Sequence, residues 1–260
     1  MPTLRGFRSI MGRRFGLDSD NRLIINERPL LPSPLNPGGI IRLYDDFLGD
    51  LIADEWGVAK GSDAAAVDFA VSAAVGGMVR ATTGAGAGAS MAANGVQLHA
   101  ALNWSAAAGN LVFDCRLKMA AITTVAVFVG FTDQIGSLEM PINSAASANT
   151  ITTNASDAVG LMFDTSMTDD YWWGVGVKAD TDATHVSTGI APTADTWQRL
   201  RVEVDTSGNA GMFIDGKKYA SVSSAVTAST PLTPVIAAFR RAASSTTVDV
   251  DYISVTSDRA

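Results

Sequence analysis

The sequence predicts an all-β sandwich, and three observations point to this fold class. From residue 44 onward the chain contains about ten short runs rich in β-branched, aromatic and other apolar residues. Clusters of Gly, Asn, Asp, Ser and Thr separate these runs and favour turns. No helical pattern of a dozen residues interrupts them. One core covered by two sheets is sufficient for residues 45–260.

Alternation of apolar and charged residues assigns faces in two of the predicted strands. In LRVEVD (200–205) the apolar residues point inward and the charged ones point to solvent. The run VDVD (248–251) alternates in the same way. The predicted strands are 78–81, 96–101, 111–119, 124–131, 158–163, 172–178, 199–205, 210–214, 235–239 and 248–255.

Composition excludes several classes of protein. The 260 residues are 47% hydrophobic and 17% charged, which is not the composition of a disordered chain. Cys115 is the single cysteine, so an intramolecular disulfide and a cysteine-based metal centre are excluded. No run reaches about 18 uninterrupted apolar residues, and no secretory signal is evident. We therefore expect a soluble, unprocessed protein with no membrane partner.

Charge divides the chain into residues 1–44, an N-terminal arm, and residues 45–260, the sandwich. The arm has seven arginines against three acidic residues, which gives it a net charge of +4. Because the whole chain has a net charge of −7, the sandwich has a net charge of −11. Four prolines between residues 29 and 37 favour extended or polyproline-II backbone. We expect that the arm does not fold alone.

The arm has three interpretations: a solvated tail, a tether ordered on a partner, or a nucleic-acid contact. The acidic body would repel a polyanion, which disfavours nucleic acid. Apolar runs at 23–25 and 30–31 favour the tether, since a solvated tail does not need them and they suit extended pairing on a partner. The candidate partner-binding residues are Arg5, Phe7, Arg8, Arg13, Arg14, Phe15, Arg22 and Arg28.

Several segments resemble those of known proteins. WQRLRVEVD (197–205), SGN (207–209) and MFIDGK (212–217) resemble the second half of a laminin G-like or concanavalin A-like sandwich, in which a Trp opens a strand and the next strand ends in an Asp-Gly hairpin. The resemblance covers roughly residues 45–260 and implies a jelly-roll β-sandwich.

Other segments of the same region are similar to structural proteins of tailed bacteriophages, most of all to head-associated or decoration-type proteins. These segments are DDF (45–47) through Trp56, VGLMFD (159–164), YWWGVGV (171–177) and VDVDYISV (248–255). This resemblance implies a place in the virion, on the outer surface of the head.

The sequence offers little that would support catalysis. Hydrolases with this sandwich use two carboxylates on one strand face. Glu203 and Asp205 share a face, but Arg201 lies there too, as in a solvated amphipathic strand. His99 and His185 have no Ser/Asp or Cys partners in sequence, and Cys115 is expected to be a buried, inert thiol. We therefore predict that the protein is not an enzyme.

Two ligand sites are considered in the body. Trp172 shares a strand face with two glycines and could form a platform for a sugar ring or a partner side chain, but a Trp enclosed within the fold is the favoured interpretation. Asp164, Asp169 and Asp170 could supply oxygen ligands to calcium. Asp-rich turns also occur without a metal, so no cofactor is expected.

The predicted function is a virion structural protein, a capsid decoration or cement protein anchored by its N-terminal arm. Its expected partners are the major capsid protein or other virion proteins, together with further copies of the chain. The alternative is a glycan-binding or receptor-binding module of a head or tail fibre. A polysaccharide hydrolase or lyase is the third interpretation.

Overall fold

A computed structural model divides the chain into two compact units, residues 1–41 with Arg259 and residues 42–258. The structure describes residues 8–10, 13–17, 23–25, 28–29, 39–49, 51–63, 67–72, 75–85, 90–135, 138–145 and 149–259.

The first unit contains a four-stranded antiparallel sheet in chain order. Its strands are β1 (Arg8–Ile10), β2 (Arg13–Leu17), β3 (Leu23–Ile25) and β4 (Arg28–Pro29). The sequence predicted extended backbone in this region but did not predict that these segments pair with one another.

The secondary-structure elements of the second unit are almost all strands, the first of which begins with Ile40 and Ile41 of the first unit. They are β5 (Ile40–Asp45), β6 (Gly57–Lys60), β7 (Val67–Val71), β8 (Val79–Thr82), β9 (Val96–His99), β10 (Leu111–Met119), β11 (Val125–Thr132), β12 (Ile142–Ser144), β13 (Ile151–Thr153), β14 (Ala158–Asp164), β15 (Trp173–Lys178), β16 (Thr181–Asp182), β17 (Val186–Ser187), β18 (Gln198–Val204), β19 (Ala210–Ile214), β20 (Lys217–Val222), β21 (Thr233–Arg240) and β22 (Thr247–Asp258). A short helix α1 (Met91–Asn94) and a 3₁₀ turn (Ala106–Ala108) complete the described elements.

Two large antiparallel sheets make up the sandwich. Sheet A has the order β20-β19-β18-β10-β22-β8-β7, with β5 also paired to β22. Sheet B has the order β16-β15-β14-β11-β21-β9-β6, with β17 also paired to β15. The predicted all-β sandwich is confirmed, and all ten predicted strands are present. The strands that the sequence did not predict are mostly two to six residues long, which is too short for a clear alternating pattern.

The core lies between the two sheets and is built from alternate residues of their strands. Phe113 of β10 and Phe131 of β11 meet edge to face, with ring centroids 5.9 Å apart. Cys115 is completely buried in the same layer, and burial raises the pKa of its thiol, so the expected inert thiol agrees with its surroundings.

A second apolar layer covers the outer face of sheet B. The covering segment, residues 138–145 and 149–155 with the β12–β13 hairpin, places Met140, Ile142 and Ala155 against Phe128 and Phe239 of the sheet. Strands β11, β14 and β21 are consequently buried on both faces. Among the described residues, no helix is long and apolar enough to cross a membrane.

Candidate functional site

The outer face of sheet A is polar, in contrast to that of sheet B. Alternation along β10 sends Phe113 and Cys115 into the core and turns Asp114 and Arg116 outward, and neighbouring strands follow the same rule. We name this surface the charged face. Its members are Arg80, Asp114, Arg116, Lys118, Arg199, Arg201, Glu203, Asp249 and Asp251.

Asp114 is the centre of the charged face. The side chain of Arg199, from the adjacent strand β18, donates to its carboxylate from Nε at 3.0 Å and from Nη2 at 2.5 Å. On the other side, the Tyr252 hydroxyl of β22 donates at 2.9 Å. These partners cover the carboxylate, so Asp114 is only 5% exposed although it points away from the core.

The Asp114 cluster shifts the titration of its partners. Burial, followed by the hydrogen bond to Asp114, raises the pKa of Tyr252 well above its ordinary value. The hydrogen bond to Asp114 raises the pKa of Arg199. Both shifts favour the protonated form of the donor, which is the form that can donate to Asp114.

Further ion pairs extend the charged face across the sheet. Arg80 pairs with Asp249 through two bonds, 2.6 and 2.8 Å long, and Lys118 lies 3.5 Å from the same carboxylate. Arg116 pairs with Asp251 at 2.8 Å. Five cations thus share four carboxylates across strands β8, β22, β10 and β18. Cross-strand pairs of this kind fix the positions of long side chains.

Aromatic rings lie beside these charges. The Trp197 ring, which precedes β18, is flanked by Arg116 at 5.0 Å and Lys118 at 5.3 Å from its centroid. Tyr252 stacks on Tyr44, whose ring is half exposed, with centroids 6.4 Å apart. These cation–π and ring contacts give the charged face an amphipathic character.

A groove of about 620 Å³ opens at one end of the charged face. The Arg201–Glu203 ion pair, 2.6 Å long, forms one wall, and it also borders a depression of about 200 Å³ that contains Phe213. The stem of Lys218 crosses the floor above Gly211, where a Cβ atom would lie 3.1 Å from Lys218 Cε. The remaining polar lining includes Asn110, Asp205, Asn209, Ser221 and Asp258.

Two carboxylates of the groove hold its loops in shape. Asp205 accepts bonds from the backbone of Ser207 and from the backbone and side chain of Asn209, and these bonds lower its pKa. The Asn110 amide donates to Asp258 at 2.6 Å. Glu203 and Asp205, the carboxylates considered from the sequence, therefore differ in role: one belongs to the ion-paired strand and the other to a turn.

Trp172 is enclosed within the fold, as the favoured interpretation of the sequence has it, and does not form the exposed platform that was also considered. Its side chain is completely buried, and its Nε1 donates to Gln198 Oε1 at 2.9 Å. The glycines beside it are not open either, because Cβ atoms at Gly174 and Gly176 would lie 2.9 Å from Met212 and 2.5 Å from the Ala225 carbonyl oxygen. The covering segment buries the other face of β15, so Trp172 lies in the core between the sheets.

The calcium site considered from the sequence is not assembled. Asp164 is completely buried and bound by Arg241, which donates from Nε at 2.9 Å and also from Nη2. Asp169 is bound to Asn149 at 2.6 Å, and Asp170 is exposed. In the part of the chain that the structure describes, no group of three acidic, His or Cys side chains is placed to hold a metal ion.

The predicted partner-binding residues of the arm stay untested. Arg5, Phe7 and Arg22 lie outside the described residues. The others lie on strands of the first unit for which only the backbone is described: Arg8, Arg13, Arg14, Phe15 and Arg28.

The two histidines occupy structural positions. His99 Nδ1 is 3.0 Å from the Ala100 carbonyl oxygen, and His185 Nε2 is 2.7 Å from that of Asn149. The ring of His185 also packs against Trp173, with centroids 5.4 Å apart.

Sequence reasoning missed the Asp114 cluster. The alternation in LVFDCRLKM (111–119) was a sufficient signal that Asp114 faces away from the core. Its partners Arg199 and Tyr252 are 85 and 138 residues away, so only the order of strands in sheet A could reveal the cluster.

Comparison with known proteins supports the fold. No protein family and no curated protein sequence matches the chain. A beta-glucanase of Bacillus licheniformis has a similar structure over 82% of this chain and 97% of that chain, with 12% identity and a TM-score of 0.55. The Emp47p carbohydrate recognition domain covers 84% of this chain and 95% of its own, with 9% identity and a TM-score of 0.54.

A third similar structure is the kappa-carrageenase of Pseudoalteromonas carrageenovora in complex with an oligotetrasaccharide of kappa-carrageenan. It covers 89% of this chain and 99% of its own, with 12% identity and a TM-score of 0.51. The prediction that the protein is not an enzyme is therefore corrected, because several of the similar structures are glycoside hydrolases.

At these identities the likeness establishes the fold alone. The comparisons give no link to phage particles. They include both glycoside hydrolases and a carbohydrate recognition domain, so binding of carbohydrate is compatible with the fold. The chain folds as a concanavalin A-like jelly-roll β-sandwich.

Proposed function

We propose that the protein binds carbohydrate in the groove of the charged face. The observation that carries this proposal is the groove of about 620 Å³, whose walls present fixed donors and acceptors on an exposed sheet. Sugar hydroxyls both donate and accept hydrogen bonds, so a ligand of this class needs both kinds of partner. The similar structures, which include carbohydrate-active and carbohydrate-recognising proteins, support this choice.

The groove is organised before any ligand arrives. Glu203 is held by Arg201, and Asp258 is held by Asn110, so their remaining acceptor positions have fixed directions. Lys218 is an exposed residue of the groove, and the end of its side chain lies over Gly211. A preorganised polar site loses less conformational entropy when it binds.

Hydrolysis would require a further feature, a carboxylic acid that keeps its proton near neutral pH beside a second carboxylate. In the groove the pKa of Asp205 is lowered, and Glu203 is ion-paired. The proposal is therefore one of binding at this groove. Release of reducing ends from each bound polysaccharide tests hydrolysis separately.

Binding of the full-length protein to a panel of neutral and acidic polysaccharides, measured by calorimetry, tests the proposal. Lys218→Ala removes charge-assisted hydrogen bonds, so we expect it to lower the affinity by about 10- to 100-fold. Lys178→Ala on β15 of sheet B is the matched control and should leave the affinity unchanged. Equal affinity of the two variants, or no binding of any polysaccharide by the wild type, would contradict the proposal.

We propose as a second candidate that the chain is a structural protein of a phage particle, attached to the outside of the head through its first unit. The resemblance to decoration-type proteins and the net charge of +4 in residues 1–44 support it. The arm would contact an acidic capsid surface, and contacts between copies would add avidity.

Sedimentation with particles stripped of the protein tests this attachment. Joint replacement of Phe7, Arg13, Arg14 and Phe15 by Ala should reduce saturable binding to the particles. Lys178→Ala is again the control. Unchanged occupancy by the quadruple variant would move the attachment site out of the arm.

A further inference from the structure

Arg240, the last residue of β21, is a buried cation, and no described acidic residue forms an ion pair with it. It is 1% exposed and is among the largest completely buried side chains. Among the residues that the structure describes, neither its Nε nor its Nη2 meets a hydrogen-bond partner. Its neighbours Phe239 and Arg241 face the covering segment, so alternation directs Arg240 into the space between the sheets.

A chain of buried polar residues surrounds this position. The backbone N–H of Arg240 donates to Asn94 Oδ1 at 3.1 Å, and the Asn94 carbonyl oxygen accepts from Gly84 at 2.9 Å. Next to Gly84, Thr83 Oγ1 accepts from the backbone N–H of Thr246 at 3.0 Å. The hydroxyl of Thr246 is buried and, within the described residues, has no hydrogen-bond partner.

The buried Arg240 guanidinium requires an acceptor that carries negative charge, whereas the Thr246 hydroxyl requires only an acceptor. A guanidinium in a protein cannot lose its proton, so burial cannot neutralise it. A buried water would accept hydrogen bonds but would leave the charge uncompensated. A small anion would accept from Nε and Nη2, and the Thr246 hydroxyl, which lacks a described partner, can donate as well.

We propose that Arg240 and Thr246 hold one small inorganic anion of halide size between the two sheets. The site lies where β21 ends and β22 begins, so the bound anion stabilises the end of the sandwich. Because the anion binds only the folded chain, its concentration raises the stability by mass action. This inference is independent of the groove on the charged face.

Thermal unfolding of the full-length protein in sodium chloride and in sodium methanesulfonate of equal ionic strength tests the proposal. We expect a Tm higher by about 2–4 °C in about 0.5 M chloride, a shift that corresponds to a roughly fivefold change in the unfolding equilibrium, as a weakly bound ion would give. Arg240→Met should have the same Tm in both salts. Lys178→Ala should keep the wild-type response.

A direct reading comes from crystals grown in bromide, which should show an anomalous peak within about 3.5 Å of Nε and Nη2. Equal Tm values of the wild type in the two salts would overturn the proposal, as would a chloride response that persists in Arg240→Met. Equal Tm values in the two salts would be expected if the Asp63 carboxylate, which lies close to Gly84, supplied the counter-charge of Arg240.

Discussion

Replacing Asp164 by Asn tests the ion pair that fastens the covering segment to sheet B. The buried carboxylate accepts from Arg241 Nε at 2.9 Å, from Arg241 Nη2, from Ser144 N at 2.8 Å and from Ser166 N at 3.0 Å. Arg241 also donates to the Ser144 carbonyl oxygen at 3.2 Å, so one guanidinium joins sheet B to the β12–β13 hairpin. An Asn side chain has one acceptor oxygen and turns an NH₂ group toward these donors.

The magnitude follows from the burial of the two partners. Removing one partner of a buried pair costs about 3–5 kcal/mol. Arg241 keeps 15% of its side-chain surface exposed and can recover part of its hydration, which favours the lower end, about 3 kcal/mol. For a domain of this size that loss lowers Tm by about 6–12 °C.

Thermal unfolding followed by circular dichroism near neutral pH measures this loss. Asp170→Asn, at an exposed position, is the control and should change the free energy of unfolding by no more than about 0.5 kcal/mol. A Tm of the Asp164 variant within about 1 °C of the wild type would refute the reasoning. If calcium stabilised the wild type but not this variant, the result would support the calcium site that was considered from the sequence.

Three further predictions concern other side chains. Trp172→Ala should lower the free energy of unfolding by about 3–5 kcal/mol in urea titrations, because it empties a large core position and leaves Gln198 without its partner. Tyr252→Phe should cost about 1 kcal/mol in the same assay, since it removes one hydrogen bond to Asp114 while the bonds from Arg199 remain. Burial raises the pKa of Glu139 above 4.5, so the folded state holds that proton more tightly than the unfolded state, and stability falls as the pH rises through this shifted pKa. Glu139→Gln should therefore raise Tm near pH 7 but not at about pH 4.

Each of these has an outcome that would contradict it. A Trp172→Ala protein as stable as the wild type would mean that this ring is not in the core. Spectrophotometric titration should lose the phenol with the highest pKa in Tyr252→Phe, and an unchanged titration would argue against the bond to Asp114. Equal effects of Glu139→Gln at both pH values would exclude a titration of this carboxyl group.

The sequence predicted the strands of the sandwich because alternation is a local property. Strands β10 and β19 were predicted with their observed ends, and residues 200–205 with the correct faces. The sequence placed Arg201 and Glu203 on one solvent-facing side of a strand, and the structure shows that they form an ion pair, which the sequence did not predict. The pairing of the short strands of the first unit was not, because two- to five-residue segments carry too weak a pattern.

Local alternation states which residues share a face but not what covers that face. Alternation places Trp172 and Trp173 on opposite faces of one strand. Only the packing of both sheets and of the covering segment decided that both of these faces are buried. The same holds for Asp164 and Arg241, which are 77 residues apart, and for Asp114 and Tyr252, which are 138 apart. By itself the sequence determined the fold class, the strands and the distribution of charge. Tertiary structure decided which carboxylates are neutralised and which surface stays open, because those depend on the order in which distant strands pair.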